Sequence, residues 1–196
     1  MAVLPFDNAS NDVNAPDILQ RYVYQALKNS PYQVQDLKQT NDFLAKIGIV
    51  DGGQLPAVDP VKLAQGLGVQ ALVYGSVEDF NYTNIGFYLQ RKVALTLKVV
   101  DGSHGATLWE NTASAARRQV NLSKDDAKRA FVKGIADQAA DKIFHTPLEE
   151  EARQATIKTL YTLPGYQFAG FAKDETTPSG GARVAKGVLK SAIQNK

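Results

Sequence analysis

The chain has 196 residues, 44% apolar and 21% charged, which allows one ordinary domain with an appendage and excludes wholesale disorder. Its 22 Lys and Arg against 20 Asp and Glu leave a formal charge of +2, so no nucleic-acid partner is expected. With no cysteine there is no disulfide, thiol nucleophile or thiolate metal site, and no apolar run reaches the roughly 18 residues of a membrane span.

The opening Ala2-Val3-Leu4-Pro5-Phe6 reads as a buried first strand. It holds no basic n-region, apolar h-region or cleavage site. A native start at Met1 and the removal of an upstream signal are both compatible with it. After a polar loop, Asp12 or Asn14 caps a helix with Pro16 and Asp17 in its first turn, and Ile18, Leu19, Tyr22, Val23, Ala26 and Leu27 form its apolar stripe. Tyr32 to Leu37 reads as a second strand. Thr40 caps a short helix carrying Phe43, Leu44 and Ile47, and residues 48–58 form a loop. Asp59-Pro60 starts a third helix that Gly66-Leu67-Gly68 stops.

Val69 to Val77 is a nearly continuous apolar run, the pattern of a central strand covered on both faces. From Tyr88 the pattern alternates, with Val93, Leu95, Leu97 and Val99 on one face and Lys92, Thr96 and Lys98 on the other. Asp101-Gly102-Ser103-His104-Gly105 turns the chain, and Thr107 to about Arg118 returns as an antiparallel partner. A helix from Ser123 to about Phe144 follows. Together these predict an α/β (α+β) fold, a mixed sheet of about five strands with helices packed on it. Residues 1–145 make that domain. Residues 146–196 form a helical and loop extension packed on it: a helix over 148–163, an aromatic loop over 164–173, a joint near 176–181 and a basic tail.

The chemistry-bearing residues are sparse. His104 lies in a turn and His145 at a helix end, and neither has a second ligand at metal spacing. The glycine-rich Gly102–Gly105 joins two strands rather than a strand and a helix, so it is no phosphate cradle. Asp125-Asp126 and Glu149-Glu150-Glu151 fall in first turns of helices, where the dipole favours them. No catalytic motif is present, so neither an enzyme nor a cofactor is expected. Arg91, Lys92, Arg117 and Arg118 come together if their strands pair. They read as a contact for an anionic partner or lipid headgroup, or as charges that guard a strand end. Tyr166, Phe168 and Phe171 read as a contact region, or as aromatics packed onto the domain.

The opening Ala2–Asn8 followed by a helix, the segment Leu67–Val77, and the hairpin returning through Leu108-Trp109-Glu110 resemble elements of bacterial envelope proteins. These are proteins related to the TolB amino-terminal domain, the LpoB lipoprotein and the CsgG curli-secretion subunit. Over its full length the chain resembles an outer-membrane lipoprotein family of unknown function with a neisserial genome-derived antigen among its members. The resemblance implies a TolB-N/CsgG-like fold over residues 1–145. It also implies a signal peptide and lipid-bearing cysteine upstream of Met1, hence membrane attachment through an N-terminal lipid absent from this chain. The implied place is the periplasmic face of the outer membrane. The implied role is a non-enzymatic accessory of a trans-envelope transport or assembly system, working by protein–protein contact with envelope proteins and as a possible homo-oligomer (dimer). Two other readings stand beside it: a cytosolic small-molecule-binding or hydrolytic α/β protein, and a secretion-channel subunit. The chain lacks the paired long transmembrane hairpins of a curli-type pore.

Overall fold

The computed structural model describes residues 1–85, 88–120 and 148–170. The expected helix over 123–144, His145, Phe171, the joint near 176–181 and the basic tail lie outside the described residues.

Two short strands, β1 (Ala2–Val3) and β2 (Asp7–Asn8), run parallel to β3 (Ala71–Asn84), where the sequence pattern predicts one strand over residues 2–6. Val3 stands opposite Val73 and Asp7 opposite Ser76, so the N-terminal chain carries one residue more than its partner between these points. Pro5, which has no N–H to offer a ladder, sits in the interruption. The extra residue reverses the side-chain alternation. Val3 and Phe6 therefore enter the core on one side of the sheet, while Ala2 and Leu4 enter it on the other.

The rest of the sheet is antiparallel. β4 (Tyr88–Asp101) lies between β3 and β5 (Thr107–Val120), giving the order β1-β3-β4-β5 with β2 also on β3. This is the mixed five-stranded α/β sheet that the pattern predicts. Val93, Leu95, Leu97 and Val99 share one core face, joined by Val3, Phe6, Val73 and Val77. That face is covered by α1 (Ala15–Lys28), whose Ile18, Leu19, Val23, Ala26 and Leu27 are buried, and by α4 (Glu149–Leu160). Leu148, Ala152, Ala155, Leu160 and Leu163 belong to the same core cluster as the strands. Among the described residues, the opposite face is covered over the first part of β3 only. There Ala2, Leu4 and Leu72 meet Leu44, Leu55, Leu63 and Leu67 of α2 (Leu37–Lys46), a 3-10 turn (Gly52–Ala57) and α3 (Pro60–Leu67). Leu72 and Val73 thus point into different clusters, as the apolar run over 69–77 predicts.

Three local expectations are corrected. Residues 32–36 form no strand. They meet the chain start only through the Met1 ammonium donating to Gln33 O at 2.7 Å and Gln35 N donating to Met1 O at 2.8 Å. The second helix starts at Leu37 because the Asp36 carboxylate accepts from Gln39 N at 3.1 Å and takes the cap expected of Thr40. Thr40 is buried one turn inside, where its hydroxyl bonds to Asp36 O and Gln35 Oε1. The loop over 48–58 contains the 3-10 turn, closed by a capping box between Asp51 and Gln54. The third helix follows its signals: Asp59 accepts from Val61 N at 2.8 Å, and Gly68 ends it at φ +68°.

Candidate functional site

The β3–β4 hairpin is closed by Ile85 N donating to Tyr88 O at 2.9 Å, and β5 ends beside it, with Val120 opposite Tyr88. Just behind this end lie the four basic residues. The ladder sets Arg91 directly opposite Arg117 and Tyr82 opposite Arg91. Side chains alternate along a strand, so Arg91, Arg117 and Tyr82 share the face that carries Val93 and the main core. Lys92 and Arg118 point to the other face. The four are neighbours, as strand pairing predicts, but they form two pairs on two faces instead of one cluster.

Their electrostatics differ. Lys92 Nζ is paired with Asp79 Oδ2 at 2.8 Å. Arg118 lies over the Tyr88 ring at 5.9 Å, and Tyr88 donates its hydroxyl to Gln90 Oε1. Arg91 lies over the Tyr82 ring at 5.5 Å, and its Nε is buried with no hydrogen-bond partner. Among the described residues, Arg91 and Arg117 face each other with no carboxylate between them. Two guanidinium groups opposed across a ladder repel, so this arrangement favours an anion from elsewhere.

The aromatic loop behaves differently at each position. Tyr166 packs against the main core, and its hydroxyl is buried without a partner. Burial pushes the Tyr166 phenol up to about 12. Phe168 is 45% exposed. The loop is tied down at both ends: Tyr32 donates its hydroxyl to Pro164 O, and Asn29 Nδ2 donates to Gly170 O at 3.0 Å. Sequence reasoning missed both ties because each joins residues more than 130 positions apart.

A cleft of about 740 Å³ opens where β2 ends and the chain leaves β3. Asp12, Glu78, Asp79 and Tyr82 contribute to its walls. Nothing in the sequence pattern pointed to it. Among the described residues no group of three or more His, Asp or Glu is placed to hold a metal, and no helix is long and apolar enough to cross a membrane. His104 sits in the β4–β5 turn with its Nδ1 2.8 Å from Asp101 Oδ2. That contact, and backbone N–H groups of the turn, hold the Asp101 carboxyl below its ordinary value.

The family model described as "Putative lipoprotein GNA1162-like" matches residues 1–163. The curated "Putative lipoprotein NMB1124/NMB1162" of Neisseria meningitidis serogroup B is 26% identical over 141 residues, which is 72% of this chain and 65% of that relative's length. The crystal structure of lipoprotein GNA1162 from Neisseria meningitidis superposes with a TM-score of 0.56 at 24% identity, over 71% of this chain and 96% of that one. The protein CT253 from Chlamydia trachomatis superposes with a TM-score of 0.51 at 15% identity, over 84% of this chain and 95% of that one. Both superpositions show a shared fold. The family expected from the resemblance of the whole chain is the family found, and the chain belongs to the GNA1162-like lipoprotein family.

Proposed function

We propose that this chain is the periplasm-facing body of an outer-membrane lipoprotein, acting without catalysis as an accessory in a trans-envelope transport or assembly system. Membership of a lipoprotein family over residues 1–163 is the observation that carries this reading. In it, a lipid on an upstream cysteine holds the start of the chain at the membrane. Met1 and the β3–β4 turn lie at opposite ends of β3, since Ala2 pairs with Leu72 and the strand runs on to Asn84. Twelve residues at about 3.3 Å each separate them by roughly 40 Å. An anchor before Met1 would therefore hold one end of the body and leave the other free to reach outward.

The partners in this reading are envelope proteins. β5 supports it, because among the described residues it is the last strand of the sheet and most of its residues are exposed along its length. An unpaired strand edge is a ready template for a partner's backbone, including a second copy of the chain as a dimer. Phe168 and the loop around Tyr166 supply an adjacent aromatic contact. The test is membrane fractionation of the native host followed by the intact mass of the protein found. An acylated species in the outer-membrane fraction is expected. An unmodified species in the cytosolic fraction would overturn the reading.

A further inference from the structure

We propose that the cleft beside β3 takes an extended, basic peptide segment of a partner protein as an added strand, paired to the open edge of β3 at residues 78–82. β2 runs beside β3 only as far as Val77, where Ala9 N donates to Val77 O at 2.9 Å. Beyond that bond β3 continues to Asn84, paired with β4 on its other side and, among the described residues, meeting no strand on this one. The cleft of about 740 Å³ stands at this gap, and each of residues 78–82 contributes to its wall. Neighbouring side chains of a strand point to opposite faces, so five consecutive residues share one cleft along the strand's edge. An edge of this kind offers N–H and C=O groups to a guest backbone.

The groove is already formed. Glu78 is an extra residue in β3, since Val77 stands opposite Leu95 and Asp79 opposite Ala94. Such a bulge bends its strand, which turns the edge away from the line of β2 while Phe80 stays in the core. The other wall, the chain from Ala9 to Val13, is held by Asn8. Its Oδ1 accepts from Ser10 N at 3.0 Å and its Nδ2 donates to Asp12 O at 3.0 Å. A guest therefore loses little affinity to ordering of its host. Charge selects the guest: Asp12, Glu78 and Asp79 line the groove, and no Lys or Arg is among its described lining residues. Among the described residues only Asp79 of these three has an ion pair, with Lys92, so Asp12 and Glu78 keep their charge for cations on the guest. Val13, 84% exposed, adds an apolar contact. A strand that alternates basic and apolar side chains matches both. The inference rests on the reading that this body works by protein–protein contact, and it names the chemistry of one partner segment.

The experiment is titration of the isotope-labelled full chain with a capped peptide that alternates lysine and valine, followed by amide NMR. Saturable binding is expected, with the largest shifts at the amides of residues 78–82. Methylating the peptide's backbone nitrogens should abolish binding, because it removes the ladder's donors and leaves the charge. Glu78→Gln should weaken binding about two- to fivefold. Glu78→Lys should weaken it further, and a glutamate–valine peptide should bind that variant better than the parent. Equal binding of the methylated peptide would overturn the proposal, as would equal binding of the glutamate–valine peptide by the parent. So would shifts confined to β5, which would place the guest on the other open edge. Concentration-dependent shifts at residues 78–82 without peptide would overturn it in favour of a second copy of the chain. Absence of binding by the lysine–valine peptide would overturn it as well. Glu78 is exposed, and an unchanged urea midpoint confirms that its variants are folded. Peptide binding in solution needs no lipid, so its failure is distinguishable from a failure of the fractionation.

Discussion

A Cβ added to Gly75 would lie 2.4 Å from Cδ1 of Phe6, because the Phe6 ring fills the space above β3 that any side chain at position 75 would need. Phe6 is 1% exposed, and it reaches this side of the sheet only through the extra residue around Pro5. Gly52 presses on the same segment, where a Cβ would meet the Phe6 and Asp7 backbone at 2.2–2.3 Å. One aromatic side chain and two glycines therefore lock the N-terminal strands to the sheet. Gly75→Ala should destabilise the fold by about 1–3 kcal/mol through overpacking. Urea unfolding is the check, with a lowered midpoint and an unchanged slope expected.

Tyr166 carries the opposite kind of prediction. Its buried hydroxyl has no partner, and a buried unsatisfied group costs about 1–3 kcal/mol. Tyr166→Phe should keep the ring's packing, remove that cost and raise stability. The Tyr166 phenol is raised to about 12 from 10.0, so the folded state holds its proton where the unfolded chain loses it. Its contribution is complete below pH 10 and is lost as pH rises from 10 to about 12. The parent should therefore lose stability across that window more steeply than Tyr166→Phe.

Opposed like charges across a ladder destabilise it, and opposite charges stabilise it by roughly 0.2–1 kcal/mol. Arg117→Glu should accordingly raise the unfolding midpoint by pairing with Arg91, and the gain should shrink in high salt.

Trp109, the single tryptophan, donates its Nε1 to Thr162 Oγ1 at 3.2 Å, and Asn111 Nδ2 donates to Thr159 O at 2.8 Å. Both bonds join β5 to the end of α4. Tryptophan fluorescence therefore reports on α4 docking, while far-UV circular dichroism reports on all secondary structure. The two urea transitions should coincide, since α4 and the strands share one core cluster. Separate transitions would make residues from about 146 onward an independent unit.

In the β4–β5 turn, His104 holds the Asp101 carboxyl below its ordinary value of 3.8. A depressed carboxylate stabilises the fold above its unfolded pKa, and this contribution is lost as pH falls through the folded value. His104→Ala should move the Asp101 titration, followed by carboxyl-carbon NMR, up toward that ordinary value.

Periodicity and punctuation in the sequence were enough to determine the local elements here. The stripe from Ile18 to Leu27 makes α1, Asp59-Pro60 and Gly68 bound α3, and the alternation from Val93 to Val99 makes a one-sided antiparallel strand. These depend on neighbours within a few residues, where side-chain period and cap chemistry act directly. The family, too, was legible in the sequence, through the resemblance of the whole chain, and the family model matches residues 1–163.

The tertiary structure decided what depends on register and on distant partners. Whether residues 2–8 make one strand or two was settled by pairing with β3, almost seventy positions away, and by the extra residue at Pro5. The stretch at 32–36 looked like a strand, but its backbone bonds to the chain start are those with Met1 alone, too few to make a ladder. The four basic residues were visible as a group. Their division into two facing pairs came from the parity of the β4–β5 ladder, since a shift of one residue would have exchanged the faces. The loop that carries Tyr166 is likewise held by ties from Asn29 and Tyr32, just after α1, to residues more than 130 positions further on. Composition cannot encode such contacts, because each is a property of two segments brought together and of neither one alone.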